Sequence, residues 1–194
     1  MNKSIMGMVT IGTVILMSSV AAHAADGQVS FNGEVIENSC QVVQKNKVVT
    51  LPTVQRSALD AAGATAGVVP FTIDLTGCTA GSNVSVYFEK DSVVSSDGRL
   101  LNNVDTSGGD TAAGNVEVEL MNNNFGFINL ATQPAINTDG TVSGSAVPVS
   151  TADSSGDASL PFYARYYATG ASTAGKVNTY VNFTVVYPVM TPTY

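Results

Sequence analysis

The chain has 194 residues, 44% of them hydrophobic and 12% charged, with a formal charge of −7. That acidity argues against partners that present phosphate, and so against nucleic acid and anionic membrane surfaces. A length of this order suits one domain with a sizeable core.

Lys3, an apolar run from Ile5 to Val20 and then Ala22-His23-Ala24 form a secretory leader that ends in a small-x-small peptidase site. Gly7, Thr10, Gly12 and Thr13 interrupt the run, which is too short for a membrane span. Cleavage after Ala24 removes Lys3 and the only histidine, so the exported chain carries −8 and begins at Ala25. Its cysteines, Cys40 and Cys78, form an even pair in an oxidising compartment, most simply a disulfide, against the alternative of two buried thiols.

Val29, Phe31, Gly33 and Val35 alternate with Gln28, Ser30, Asn32 and Glu34, the pattern of a strand with one apolar face. Such a strand either completes the chain's own core or serves a neighbour. From Cys40 to Leu51, Val42, Val43, Val48 and Val49 flank a Gln44–Lys47 turn and predict a short hairpin or a bend between strands. Residues 57–67 carry too many glycines for more than one helical turn and read as a surface connection.

Phe71, Ile73 and Leu75 alternate with Thr72, Asp74 and Thr76 in the clearest strand, which ends at Gly77-Cys78. Val84, Val86 and Phe88 form the next, and Val116, Val118 and Leu120 another. Asp97-Gly98, Ser107–Asp110 and Asp139-Gly140 are turn clusters spaced as in an all-β sandwich. Residues 143–159 are rich in Ser, Ala, Gly and Asp and predict a solvated loop. Two strands close the chain, one through Leu160, Phe162, Ala164 and Tyr166, the other through Val181, Phe183, Val185 and Tyr187.

Catalytic chemistry finds little support. Without histidine in the exported chain the common serine and cysteine triads are missing, and Lys45, Lys47, Lys90 and Lys176 sit in polar loops where lysines stay solvated. Glu117 and Glu119 lie about 7 Å apart on one strand face, a spacing open to paired-carboxylate chemistry, but alternation with valines makes them the wet face of a strand. Asp105 and Asp110 lie in a glycine-rich loop without calcium-loop spacing. Two thiolates without histidine make a poor zinc site. No enzyme, no metal and no cofactor are expected.

Four stretches, Val29 to Ile36, Pro70 to Cys78, Leu160 to Gly170 and Tyr180 to Tyr187, occur in the order and cysteine context of a known family. In these the chain resembles the type 1 major pilins of chaperone-usher fimbriae in Gram-negative bacteria. The resemblance implies an immunoglobulin-like sandwich lacking its last strand, completed by a donor strand from a neighbouring subunit. It implies a signal peptide over 1–24, a donor extension over 25–37 and a pilin domain over 38–194.

On that resemblance the donor strand presents Val29, Phe31, Gly33 and Val35 to the next subunit's groove. The strand with Val181, Phe183, Val185 and Tyr187 flanks the groove, which a periplasmic chaperone fills until an outer-membrane usher assembles the fibre. The implied partners are further copies of the same pilin, the chaperone, the usher, and tip adhesin or adaptor subunits. Gly33 would mark where an incoming strand begins to displace the chaperone; in an ordinary strand it would mark a bulge.

The chain continues past Tyr187 from Pro188 to Tyr194, so a chaperone contact to the terminal carboxylate would shift to Tyr194 or be lost. Pro188 and Pro192 predict no further paired strand. The expected role is a structural subunit of an adhesive surface fimbria, polymerising by donor-strand exchange. The alternatives are a minor or adaptor pilin, or a self-contained exported sandwich that binds carbohydrate.

Overall fold

The computed structural model describes residues 29–31, 40–143 and 147–188. The leader, Gly33 and Val35 of the expected donor strand, and tail residues 189–194 lie outside the described residues. The chain divides into two compact units, Met1–Val35 and Ile36–Tyr194. In the first, Val29 is 77% exposed and Phe31 91% exposed.

The described part of the second unit is built of β1 (Gln41–Val42), β2 (Thr65–Thr76), β3 (Asn83–Phe88), β4 (Leu100–Leu101), β5 (Val116–Met121), β6 (Ala135–Ile136), β7 (Val142–Ser143), β8 (Val149–Thr151), β9 (Ala158–Ala168) and β10 (Phe183–Val186), with one 3-10 turn at Arg56–Leu59. Five strands form one sheet in the order β1-β2-β9-β5-β4, and three form the facing sheet in the order β10-β3-β8. The pairs within both sheets are antiparallel. Strands β6 and β7 make a separate two-stranded ribbon.

Alternation builds the core directly. Ile73 and Leu75 of β2, Leu160, Phe162 and Ala164 of β9, and Val118 and Leu120 of β5 bury one face of the larger sheet. Val84, Val86 and Phe88 of β3, with Val186 of β10, bury the facing one. Phe162 lies at the centre, stacked on Phe71 at 5.4 Å and edge-on to Phe88 at 5.2 Å. Such aromatic pairs add to the simple burial of area. Cys40 and Cys78 form a disulfide across 38 residues, joining the start of β1 to the end of β2. Closing a loop of that length stabilises the fold by about 4 kcal/mol if unfolded-chain entropy dominates.

Several sequence expectations are corrected. The segment 41–51 is not a hairpin: β1 pairs with β2, Val42 opposite Leu75, and the chain bends at Lys45 and Asn46 and runs on without forming a second strand. The turn at 56–59 is present, but β2 begins at Thr65, inside the expected connection. Gly67 makes that start possible, since it holds φ +69° at a shift of register and a Cβ there would stand 3.0 Å from the Tyr166 ring. The expected loop 143–159 contains β8, held through pairing with β3, and the first residues of β9. Pro188 forms only an isolated bridge with Asp139, and no strand follows β10 among the described residues, as its proline predicts.

The largest correction concerns β5. Glu117 and Glu119 do face away from the core, yet both are buried, Glu119 to 1% exposure. Arg99 Nε donates to Glu119 Oε2 at 2.7 Å, and Arg165 Nε donates to Oε1 at 2.9 Å. The Arg99 guanidinium also lies 3.5 Å over the Tyr167 ring and 4.6 Å from that of Phe127. A carboxylate out of water needs this degree of compensation. Glu119 with its two arginines is thus a structural clasp that ties β5 to β9 and to the residue before β4.

Candidate strand-acceptor groove

One side of the sandwich is left open. The stretch 43–54, bent at Lys45 and Asn46, follows β1 at the edge of the larger sheet, and 177–182 leads into β10 at the margin of the smaller one; neither is assigned to a strand. Strand β10 pairs with β3 on one side and with no strand on the other among the described residues. Between the two stretches runs a groove of about 850 Å³. Its floor is core: Phe71, Ile73, Phe88, Leu100, Val118, Leu120 and Ala164 reach into it from both sheets.

The walls differ from the floor in burial. Val181 and Phe183, two of the expected flanking residues, line the groove and are half-buried against the core. Val185 and Tyr187 pack against the same core farther along the strand and do not line this cavity. The opposite wall, Lys45 to Leu51, was not anticipated as part of a site. It exposes Val48 to 86%, a large apolar side chain left beside an apolar trench. The doublets Val42-Val43 and Val48-Val49 were the available signal, apolar yet out of step with period two.

Polar groups of the groove sit on its walls, Asn46 and Thr50 with the lysines on one and Asn178, Thr179 and Asn182 on the other. The hydroxyl of Thr179 is buried in the wall with no hydrogen-bond partner, an unmet group of the kind native interiors seldom keep. Lys45 and Lys47 stand on the opposite wall, and among the described residues no carboxylate lines the cavity. Lys47 lies 3.8 Å from Asp74, whose carboxyl is held below its usual value, first by the Ser159 hydroxyl against the cost of burial, then by Thr72 and Lys47.

A second cavity, about 730 Å³, continues past Tyr166 and Val177 toward Arg56, Asp105, Asp110 and Lys176. There Asp110 pairs with Lys176 at 2.7 Å, and Asp105 accepts from the Ser107 amide at 2.9 Å. Both carboxylates are thereby accounted for as turn and surface contacts.

The sandwich is an all-β, incomplete immunoglobulin-like domain with an open strand position, the architecture of chaperone-usher pilus subunits. Its backbone resembles solved structures of that class at TM-scores of 0.53 and 0.51. The first is a chaperone-usher pilus described for rod uncoiling, 18% identical with 84% of this chain and 96% of that one covered. The second is the P pilus rod subunit PapA, 16% identical with 77% and 99% covered.

Sequence comparison carries this further. The model of the FimA family, type-1 fimbrial protein A, matches residues 51–188. The major fimbrial subunit SMF-1 of Stenotrophomonas maltophilia is 39% identical, with 90% of this chain and 99% of that protein covered. The F17 fimbrial protein of Escherichia coli is 36% identical, with 91% and 96% covered. The chain therefore belongs to the type-1 fimbrial protein family. It is a structural, non-enzymatic subunit of surface fimbriae, which are extracellular polymers of such subunits.

Proposed function

We propose that the protein is a shaft subunit that polymerises by donor-strand exchange. Residues 25–37 of one copy enter the groove of the next between 43–51 and 177–183, with Val29, Phe31, Gly33 and Val35 toward the floor. Val181 and Phe183, with Val185 and Tyr187 beyond them, form the flanking strand. The observation that carries this reading is the apolar-floored groove between two stretches with no strand between them among the described residues. Fully extended, Gln28 to Ile36 spans about 30 Å at roughly 3.3 Å per residue, long enough to supply a strand. An added strand covers apolar floor and supplies backbone partners together, a mode for which pilin complementation is a known example.

Burying Val29, Phe31 and Val35 at about 1.5–3 kcal/mol each contributes on the order of 5–9 kcal/mol per junction before ordering costs. An incoming backbone would also offer the Thr179 hydroxyl a partner. A groove left open would invite aggregation, so a periplasmic chaperone covers it after the leader 1–24 is removed. An outer-membrane usher then exchanges chaperone for the next subunit, with adaptor or tip adhesin subunits at the fibre end. One domain, 38–194, with its own extension suits the shaft.

The test is an unboiled detergent gel of fimbriae released from cells, beside a version lacking residues 25–37. A regular ladder that collapses on boiling and vanishes in the deletion is expected. A monomer band from the full-length protein would overturn donor-strand polymerisation.

A further inference from the structure

The groove is cationic in an otherwise acidic protein. Only eight lysines and arginines stand against fifteen acidic residues in the whole sequence. Two of the eight, Lys45 and Lys47, line this cavity, and none of the acidic residues among the described ones does. The segment 25–37 has the opposite character: Asp26, Glu34 and Glu37, with no lysine or arginine. Of these, Glu34 alone lies within the apolar alternation, on the face that points away from Val29, Phe31 and Val35. In a seated strand that face meets the rim rather than the floor. Lys45 is exposed on this rim, and Lys47 is engaged there only at 3.8 Å by Asp74.

We propose that Lys45 and Lys47 form an electrostatic selector for the incoming strand of a second copy, with Glu34 as its principal partner. The inference rests on the donor-strand reading above and adds a charge code to it. Apolar side chains hold a seated strand, but alternating valines and phenylalanines recur in several strands of this chain, and any of them could compete while exposed. Opposite charges raise the rate of the correct encounter and penalise a wrong one. The protein as a whole is acidic and repels an acidic strand, so Lys45 and Lys47 give this rim a local attraction that Asp74 beside Lys47 offsets only in part.

The test is the growth of the oligomer ladder from full-length subunit, disulfide intact, diluted out of denaturant at low and at high salt. The K45E/K47E double variant is expected to assemble at least about threefold more slowly at about 0.01 M salt, with the difference closing near 1 M, where the screening length falls to about 3 Å. Glu34→Lys alone is expected to slow assembly similarly, and combining it with K45E/K47E to restore most of the rate. Glu34→Lys lies outside the 38–194 domain, so it remains informative if the lysine variants fold poorly. Wild-type rates for Glu34→Lys at low salt, or a defect that neither salt nor the combined variant relieves, would overturn the selector. If the ladder vanishes on deleting 25–37 yet ignores these charges, the selector falls and donor-strand assembly stands; if the ladder survives the deletion, both fall.

Discussion

Strand β9 and the stretch 177–187 carry the same kind of sequence, an aromatic and aliphatic alternation, and meet different fates. In β9, flanked by β2 and β5, Leu160 and Phe162 have no exposed surface and Ala164 and Ala168 almost none. In 177–187, β3 supplies a partner on one side, and Val177, Val181, Phe183, Val185 and Tyr187 remain half-buried. Periodicity thus states which face of a strand is apolar, whereas burial depends on whether both edges are occupied. The difference measures a missing neighbour. On the proposed assembly it also separates what the subunit needs for itself from what it would hold in reserve for a neighbour.

The largest effect should come from the closed side. Phe162→Ala removes the ring that Phe71 and Phe88 pack against and should cost about 4 kcal/mol of subunit stability in denaturant unfolding. The Glu119 clasp comes next. Glu119→Ala leaves Arg99 and Arg165 without their shared carboxylate and should cost about 2–3 kcal/mol, below the full value for a buried pair because both guanidinium groups reach solvent. A much smaller loss would mean that water replaces the carboxylate and that the clasp contributes little.

Those two sites also show how far the sequence could be read. Phe162 was legible because β9 keeps strict period two and ends in recognisable turns. Glu119 was legible only as an outward residue; its cover comes from Arg99, 20 positions away, and Arg165, 46 positions away, and no local pattern reports such contacts. Val181 and Phe183 could be placed beside a groove by resemblance. The wall formed by Lys45 to Leu51 could not, since its paired valines break the alternation and its conformation depends on bends after β1. Strand β8 was hidden for a related reason: it is three residues in a Ser- and Ala-rich stretch, and β3 rather than its own pattern makes it a strand.

Phe183→Ala tests the open side. The ring is half-buried in the subunit, so the isolated domain should lose only about 1–2 kcal/mol, less than half the cost at Phe162. On the proposed donor-strand assembly the same ring would lie beside the incoming strand, and the unboiled ladder should then shift toward shorter oligomers or melt at lower temperature. Equal losses at Phe162 and Phe183 in the unassembled subunit would contradict the division into closed and open sides.

The smallest effect is a pH dependence with two opposed contributions. Asp74 and Asp97 both have carboxyls held below the usual value near 3.8, Asp74 chiefly by Ser159 and Asp97 chiefly by Ser95. Between the ordinary value and the depressed one the unfolded chain binds more protons. Their stabilisation is therefore complete above the ordinary carboxylate range and is lost as pH falls through the depressed values. Glu117 has the reverse sign, because burial, reinforced by the nearby Asp97 charge, pushes its carboxyl up from 4.5. Its ionised form opposes folding at neutral pH, and protonation relieves that cost as pH falls through the raised value. Glu117→Gln should therefore unfold at a slightly higher temperature than the parent at neutral pH, with the gap closing on acidification. A gap that widens instead would mean that the Ser95 and Arg99 contacts to Glu117 outweigh its burial, and that this carboxylate belongs with Glu119 as a stabilising charge.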